Sequence, residues 1–156
     1  MKPVLVVIGG VVIVSLVAAL LRSRTAPTYH VGVADIPKVL ASLSGASSSP
    51  TFAVFMFNTP DRPGDVVNLQ FSLEGGRPGL DWVLLGERNI EDEARFQDFA
   101  RAAGFRPKLE EANGVRYLRI EHGDLAVLCR DVVTKMYARG EAEPIELIVE
   151  GFHWKP

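Results

Sequence analysis

One cysteine, Cys129, stands in a chain of 156 residues. A single thiol excludes an intrachain disulfide, and short chains of oxidising compartments often carry several cysteines; the scarcity leans toward a reducing side. Charge of one sign is also missing. Lys and Arg number 17 against 19 Asp and Glu, a net charge of -2, and the two signs are interspersed. Nucleic-acid binding needs a basic face or tail, so that class of partner is excluded. No GxGxxG, P-loop, HExxH, CxxC or GxSxG occurs, and no internal repeat. The three histidines, His30, His122 and His153, stand far apart and none has metal-ligand spacing with another His or with Cys129. The reading is of solvated surface histidines, with no metal and no cofactor.

What is present begins with VLVVIGGVVIVSLVAALLRSR, Val4 to Arg24. From Pro3 to Leu21 no side chain ionises, and only Ser15 and two glycines interrupt the apolar surface. As a helix this run reaches roughly 28 Å, close to the hydrocarbon thickness of a bilayer. It is too long for a signal-peptide apolar region, and Leu-Leu-Arg-Ser-Arg is not a small-x-small cleavage site. The segment reads as an uncleaved single-pass anchor. Arg22 and Arg24 outnumber Lys2, which sets the C-terminal part on the cytoplasmic side; the terminal amine narrows that lead. Gly10, Ser15 and Ala19 are small enough to let two such helices pack, but small residues are common in any membrane helix. Residues 1–24 are thus the transmembrane anchor and its basic flank, 25–33 a linker, and 34–156 one soluble domain.

In the domain, Asp35 is placed to cap a helix over ADIPKVLASLSG, with Ile36, Leu40 and Leu43 on one face. TFAVFMFN is an aromatic-rich apolar run that reads as a strand covered on both faces. TPDRPGD is a polar turn. VVNLQFSLE alternates: Val67, Leu69, Phe71 and Leu73 face the core, and Asn68, Gln70 and Ser72 the solvent. After GGRPG, LDWVLLG gives a third strand. NIEDEARFQDFARAAGF is a helix capped by Asn89, striped by Phe96, Phe99, Ala100 and Ala103, and ended by Gly104. Asn113-Gly114 asks for a two-residue type I′ hairpin, with Glu111 opposite Arg116 and Leu109 opposite Leu118. Asp124 opens a last helix that runs to Gly140, and Ile145–Glu150 is a final strand before Phe152 and Trp154. The order is α-β-β-β-α-β-β-α plus a C-terminal strand. It predicts an α+β fold, an antiparallel sheet with helices on one face.

Candidate chemistry is thin. Cys129 lies on the apolar stripe of the last helix and reads as a packing residue. Glu91-Asp92-Glu93 complements the dipole of a helix N-terminus. Asp81, an acid beside Trp82 in an apolar strand, points to a wet face or to a groove, the solvated reading being preferred. The Glu111–Arg116 pair is the other polar candidate for a pocket between sheet and helices. Trp82, Tyr117, Phe152 and Trp154 are a candidate partner-contact surface, core packing being the alternative; a buried Trp154 means core.

The element order over Ala34 to Gly140 and the phrase FQDFARAAGF, a helix ending in Gly and an aromatic, resemble the small chaperones of bacterial type III secretion and the YbjN-like bacterial domains. That resemblance implies a dimerising, protein-binding module without catalytic residues, which takes extended segments of its partners on apolar patches. No residue of this chain matches a family motif position by position, so no binding residue carries over. The anchor, the extra strand and the mild acidity depart from the pattern. The expectation is a membrane-anchored, chaperone-like or scaffolding domain at the bacterial inner membrane, facing the cytoplasm, whose partner is another protein or a second copy. The alternatives are a small-ligand sensor or enzyme with a pocket between sheet and helices, and a structural protein facing the envelope.

Overall fold

The structure, a computed structural model, describes residues 28–48 and 50–156. The expected anchor lies outside them, and no helix among the described residues is long and apolar enough to cross a membrane. The elements are β1 (Tyr29–Val31), α1 (Ile36–Ser44), β2 (Phe52–Thr59), β3 (Arg62–Glu74), β4 (Arg77–Val83), α2 (Glu87–Glu91), α3 (Glu93–Ala102), β5 (Lys108–Ala112), β6 (Val115–Ile120), α4 (Leu125–Asp131) and β7 (Ile145–Glu150). The fold is α+β. One sheet of seven strands, ordered β1-β7-β2-β3-β4-β6-β5, carries antiparallel neighbours throughout.

Two tight turns set the register. Gly75 and Gly76 both take positive φ, 57° and 77°, and so do Asn113 and Gly114, at 51° and 77°. That is the type I′ geometry, whose twist matches the flanking strands. The second turn places Glu111 opposite Arg116 and Leu109 opposite Leu118, as the sequence predicts. β7 joins the sheet between β1 and β2, not at an edge.

Alternation along the strands sorts the side chains onto two faces. Ala53, Phe55, Phe57, Val67, Leu69, Phe71, Leu80, Trp82, Leu118, Ile120, Ile145 and Leu147 point to the helix side. There they meet Ile36, Val39 and Leu43 of α1, Phe96 and Ala100 of α3, and Leu125, Leu128 and Cys129 of α4. Trp82 stacks on Phe96 with ring centroids 4.4 Å apart. This layer is the core.

Several local expectations are corrected. Part of the expected linker is strand β1, held by β7. The expected turn TPDRPGD shrinks, because β3 already begins at Arg62. Asp35 precedes α1, but its carboxylate accepts from the Gly32 amide at 3.0 Å and caps no α1 amide. The helix expected from Asn89 starts at Glu87 and is broken at Asp92 into α2 and α3. Asn89 does not cap it. The β3–β4 pairing stops at Gln70–Asp81, and beyond it Asn89 takes the place of a neighbouring strand. Its amide donates to the Asn68 carbonyl at 2.9 Å and accepts from the Asn68 amide at 3.2 Å. Gly104 does take the left-handed conformation after α3. Asp124 caps α4 by accepting from the amides of Ala126 and Val127. The last helix ends in a wide turn at Val132–Met136 and not at Gly140; Ala138, with φ 53°, makes the left-handed exit.

Candidate functional site

The opposite face of the sheet is where the sequence reading fails most. Asn68, Gln70 and Ser72, expected in solvent, are buried, as is Asp81. With Phe52, Val54, Val83, Tyr117 and Ile148, which form a second apolar cluster, they make a continuous far face. Among the described residues no helical residue belongs to that cluster, and beyond the strands only Leu85 does. Yet Phe52, Gln70 and Ser72 each have 0 % of their surface exposed.

Register lays one row across this face: Val54 on β2, Gln70 on β3, Asp81 on β4, Arg119 on β6 and Lys108 on β5. Arg119 is its hub. Its Nη1 donates to Asp81 Oδ1 at 2.7 Å and to Ser72 Oγ at 2.9 Å, its Nε donates to Glu121 Oε1 at 2.8 Å, and Glu74 Oε1 lies 3.4 Å from Nη1. Ser72 Oγ in turn donates to Asp81 Oδ2 at 2.7 Å. Gly79 makes room for this arrangement. A Cβ there would stand 2.5 Å from Arg119 Cζ and Nη2, so only a residue without one lets the guanidinium lie flat over β4.

The electrostatics follow from burial. Burial pushes the Asp81 carboxyl up to about 6, against the opposing pull of Arg119 and the hydrogen bond from Ser72. Burial also raises Glu74. The hydrogen bond from Arg119 holds Glu121 below its ordinary value. Burial raises the Tyr117 phenol, and the nearby Glu110, which accepts from it at 3.1 Å, adds to the effect. Two groups in the row are left unmet: both amide atoms of Gln70, and Nη2 of Arg119, are buried without a hydrogen-bond partner. A buried amide without partners costs about 1–3 kcal/mol for each unmet group. The arrangement can therefore offer one donor-and-acceptor pair and one cationic donor to a mostly apolar occupant.

The residues expected as one contact surface are not brought together. Trp82 and Trp154 are buried in the helix-side core, and Phe152 is half-buried against it. Tyr117 alone points to the far face. Asp81 is neither solvated nor in a groove; it is paired with Arg119. Arg116 stands opposite Glu111, but its guanidinium reaches Glu93 at 3.6 Å. Glu91-Asp92-Glu93 does more than compensate a dipole. Glu91 pairs with Arg62, and Asp92 accepts from Arg88 Nε at 2.6 Å and Tyr137 Oη at 2.7 Å. Burial of Asp92 works against its charge, but those two hydrogen bonds hold its carboxyl below the usual range. The three histidines are exposed. The Cys129 thiol is buried, and burial alone pushes its pKa up, which suits packing and not nucleophilic attack. Among the described residues no group of three His, Cys, Asp or Glu is placed to hold a metal ion.

Between sheet and helices lies a groove of about 610 Å³, bordered by α1, the start of β4 and the segment from Glu121 to Ala126. Its polar lining is Ser44, Arg77, Glu121, His122 and Asp124. Asp124 and Glu121 are already engaged, by the α4 amides and by Arg119. Compared with known proteins, the chain matches no family model, no curated protein and no solved structure.

The sequence missed Gln70, Ser72 and Arg119 as site residues. The one signal that reaches them is parity: Asp81 sits off-phase with Leu80 and Trp82, and Arg119 off-phase with Leu118 and Ile120. Each strand taken alone reads as half-solvated, and only the pairing of β4 with β6 joins the two charges.

Proposed function

We propose that this chain is a membrane-anchored protein-binding domain, and that its binding element is the far face of the sheet. The observation that carries this reading is the unmet hydrogen-bonding capacity of Gln70 and Arg119 in the middle of an apolar surface. Interfaces of this kind take large apolar contacts around a few polar groups that fix orientation. The occupant is a peptide segment that is apolar along its length and carries a polar group opposite Gln70. The apolar run at Pro3–Leu21 tethers the domain to the bacterial inner membrane, with the domain facing the cytoplasm. Confinement to the membrane plane raises the effective concentration of the face near membrane partners.

The test uses the full chain in its membrane. A photo-reactive phenylalanine analogue replaces Met56, a partly buried residue beside Asn68 on the far face. On illumination the expected product is a cross-link to a mapped peptide segment, lost in Gln70→Leu. Absence of any cross-linked peptide, or capture that is indifferent to Gln70→Leu, overturns the proposal. Reporter fusions after Pro156, one active only inside the cytoplasm and one only outside it, test the orientation independently.

A further inference from the structure

We infer that the chain pairs with a second copy of itself through strand β5, edge to edge, about a two-fold axis at Leu109. This surface is the edge of the sheet and not the face to which the proposed function belongs, so either can hold without the other. β5 ends the sheet on one side, with β6 as its one neighbour among the described residues. Lys108, Leu109 and Glu111 stand exposed, and Leu109, at 55 %, is the most exposed large apolar side chain among those described. Register decides which backbone groups the edge offers. In a two-residue hairpin the residues flanking the turn exchange both of their hydrogen bonds, and the pattern alternates from there. Ala112 with Val115, Glu110 with Tyr117 and Lys108 with Arg119 are therefore the bonded pairs. Leu109 and Glu111 turn their N–H and C=O away from β6, to the open side.

Charged residues usually blunt such an edge. Here the charges fit one pairing. With the axis at Leu109, antiparallel copies set Leu109 against Leu109 as a bonded pair, each N–H donating to the other copy's C=O. The same axis sets Lys108 opposite the second copy's Glu110, twice, on the far-face side. Glu110 already accepts from the Tyr117 hydroxyl, and a carboxylate has room for a further donor. Moving the axis to Lys108 or to Glu110 sets like charges directly opposite each other, which opposes pairing. A slip of one residue turns each face of the sheet against the other. The two Leu109 side chains cover each other on the helix side, and Pro107, which has no N–H, ends the ladder. Two seven-stranded sheets become one, and their far faces run side by side. The contact is small, and interfaces at the low end of size are transient and governed by concentration.

Cysteine cross-linking of the full chain in its membrane tests this. Cys129→Ala removes the native thiol, and Leu109→Cys places each new thiol opposite its copy, at a bonded-pair Cα separation of about 5.5 Å, inside the range a disulfide spans. Mild oxidation is expected to give a dimer-sized product on a non-reducing gel. Glu111→Cys, two residues off the axis and so about 14 Å from its copy, is expected to give none, as is Val127→Cys on the exposed side of α4. Added to Leu109→Cys, Lys108→Glu is expected to abolish the product by facing Glu110, and Lys108→Glu with Glu110→Lys to restore it, because the inverted pair is again complementary. Glu110→Lys alone replaces Lys108→Glu if tryptophan emission shows that variant unfolded. No dimer at position 109, equal products at 109, 111 and 127, or a charge exchange that fails to restore the product overturns the inference. A cross-link from position 109 to another protein overturns it in favour of a foreign strand on the edge. The same gel read on the soluble fraction serves if the chain is not membrane-bound, and loss of the dimer leaves the far-face cross-link from position 56 as a separate result.

Discussion

Asp81 gives the most demanding test of the far face, because its burial has a thermodynamic signature with a definite sign. Its carboxyl sits at about 6 in the folded chain against an ordinary 3.8. Each unit of that difference is about 1.4 kcal/mol, so the folded state forfeits about 3 kcal/mol when Asp81 is ionised in both states. A raised folded pKa means that the native chain binds the proton more readily than the unfolded one. Stability therefore rises as pH falls from about 7 through 6, and levels off below the unfolded value near 4. The lowered carboxyls, Asp61, Asp92, Glu121 and Asp131, act in the opposite sense. Their contribution is fully present above the unfolded carboxyl pKa and is lost as pH drops below it, so the window from pH 6.5 to 4.5 belongs mainly to Asp81, with Glu74 adding the same sign. The assay is urea unfolding at a series of pH values, followed by the emission of the buried Trp82 and Trp154. Wild type is expected to gain about 2 kcal/mol of that across the window, and Asp81→Asn to lose most of that gain while keeping a hydrogen bond to Ser72. Stability that is flat or falling toward pH 4.5, or an Asn variant with an unchanged slope, would refute the claim that Asp81 is sealed.

Other outcomes follow from the same geometry. Gly79→Ala forces the Arg119 guanidinium out of its seat. A loss of about 1–3 kcal/mol is expected from overpacking, and Arg119→Met in the same chain should recover part of it in a double-mutant cycle. Asn89→Ala strips the Asn68 backbone of both partners and is expected to cost about 2–4 kcal/mol in chemical denaturation; Asn89→Asp, which keeps only the acceptor, should fall between. Gln70→Leu removes an amide with no partner from a sealed site, so it should stabilise the chain by about 1–2 kcal/mol. A destabilised Gln70→Leu would mean that the amide is satisfied.

Legibility in the sequence tracks the range of the interactions. The Asn113-Gly114 hairpin, the Asp124 cap and the Gly104 exit were readable because each is decided within a few residues. The α+β class was readable from the grouping of strands. The wet face assigned to Asn68, Gln70 and Ser72 was not, because polarity marks a solvated strand face only when nothing covers it. Here a charge on β6 and another on β4, 38 residues apart in the chain, neutralise each other across the row. Asn89 misled for a related reason. The residue type that caps helices is also the one whose amide copies the donor and acceptor of a peptide group, and here it copies a strand. Trp82 and Trp154 were named for a surface on aromatic character alone, and volume took both into the core.

The way β1 enters the sheet bears on how the domain responds to force. Any pull on the N-terminal side of the chain arrives first at three residue pairs, Tyr29 with Leu147, His30 with Glu146 and Val31 with Ile145. β2, by contrast, is laced to β3 along eight. The short ladder yields before the long one, so under tension the chain pays out β1 while β7, still paired to β2, keeps the rest of the sheet closed. β1 is a mechanical fuse, and the far face stays intact on the load-free side of it.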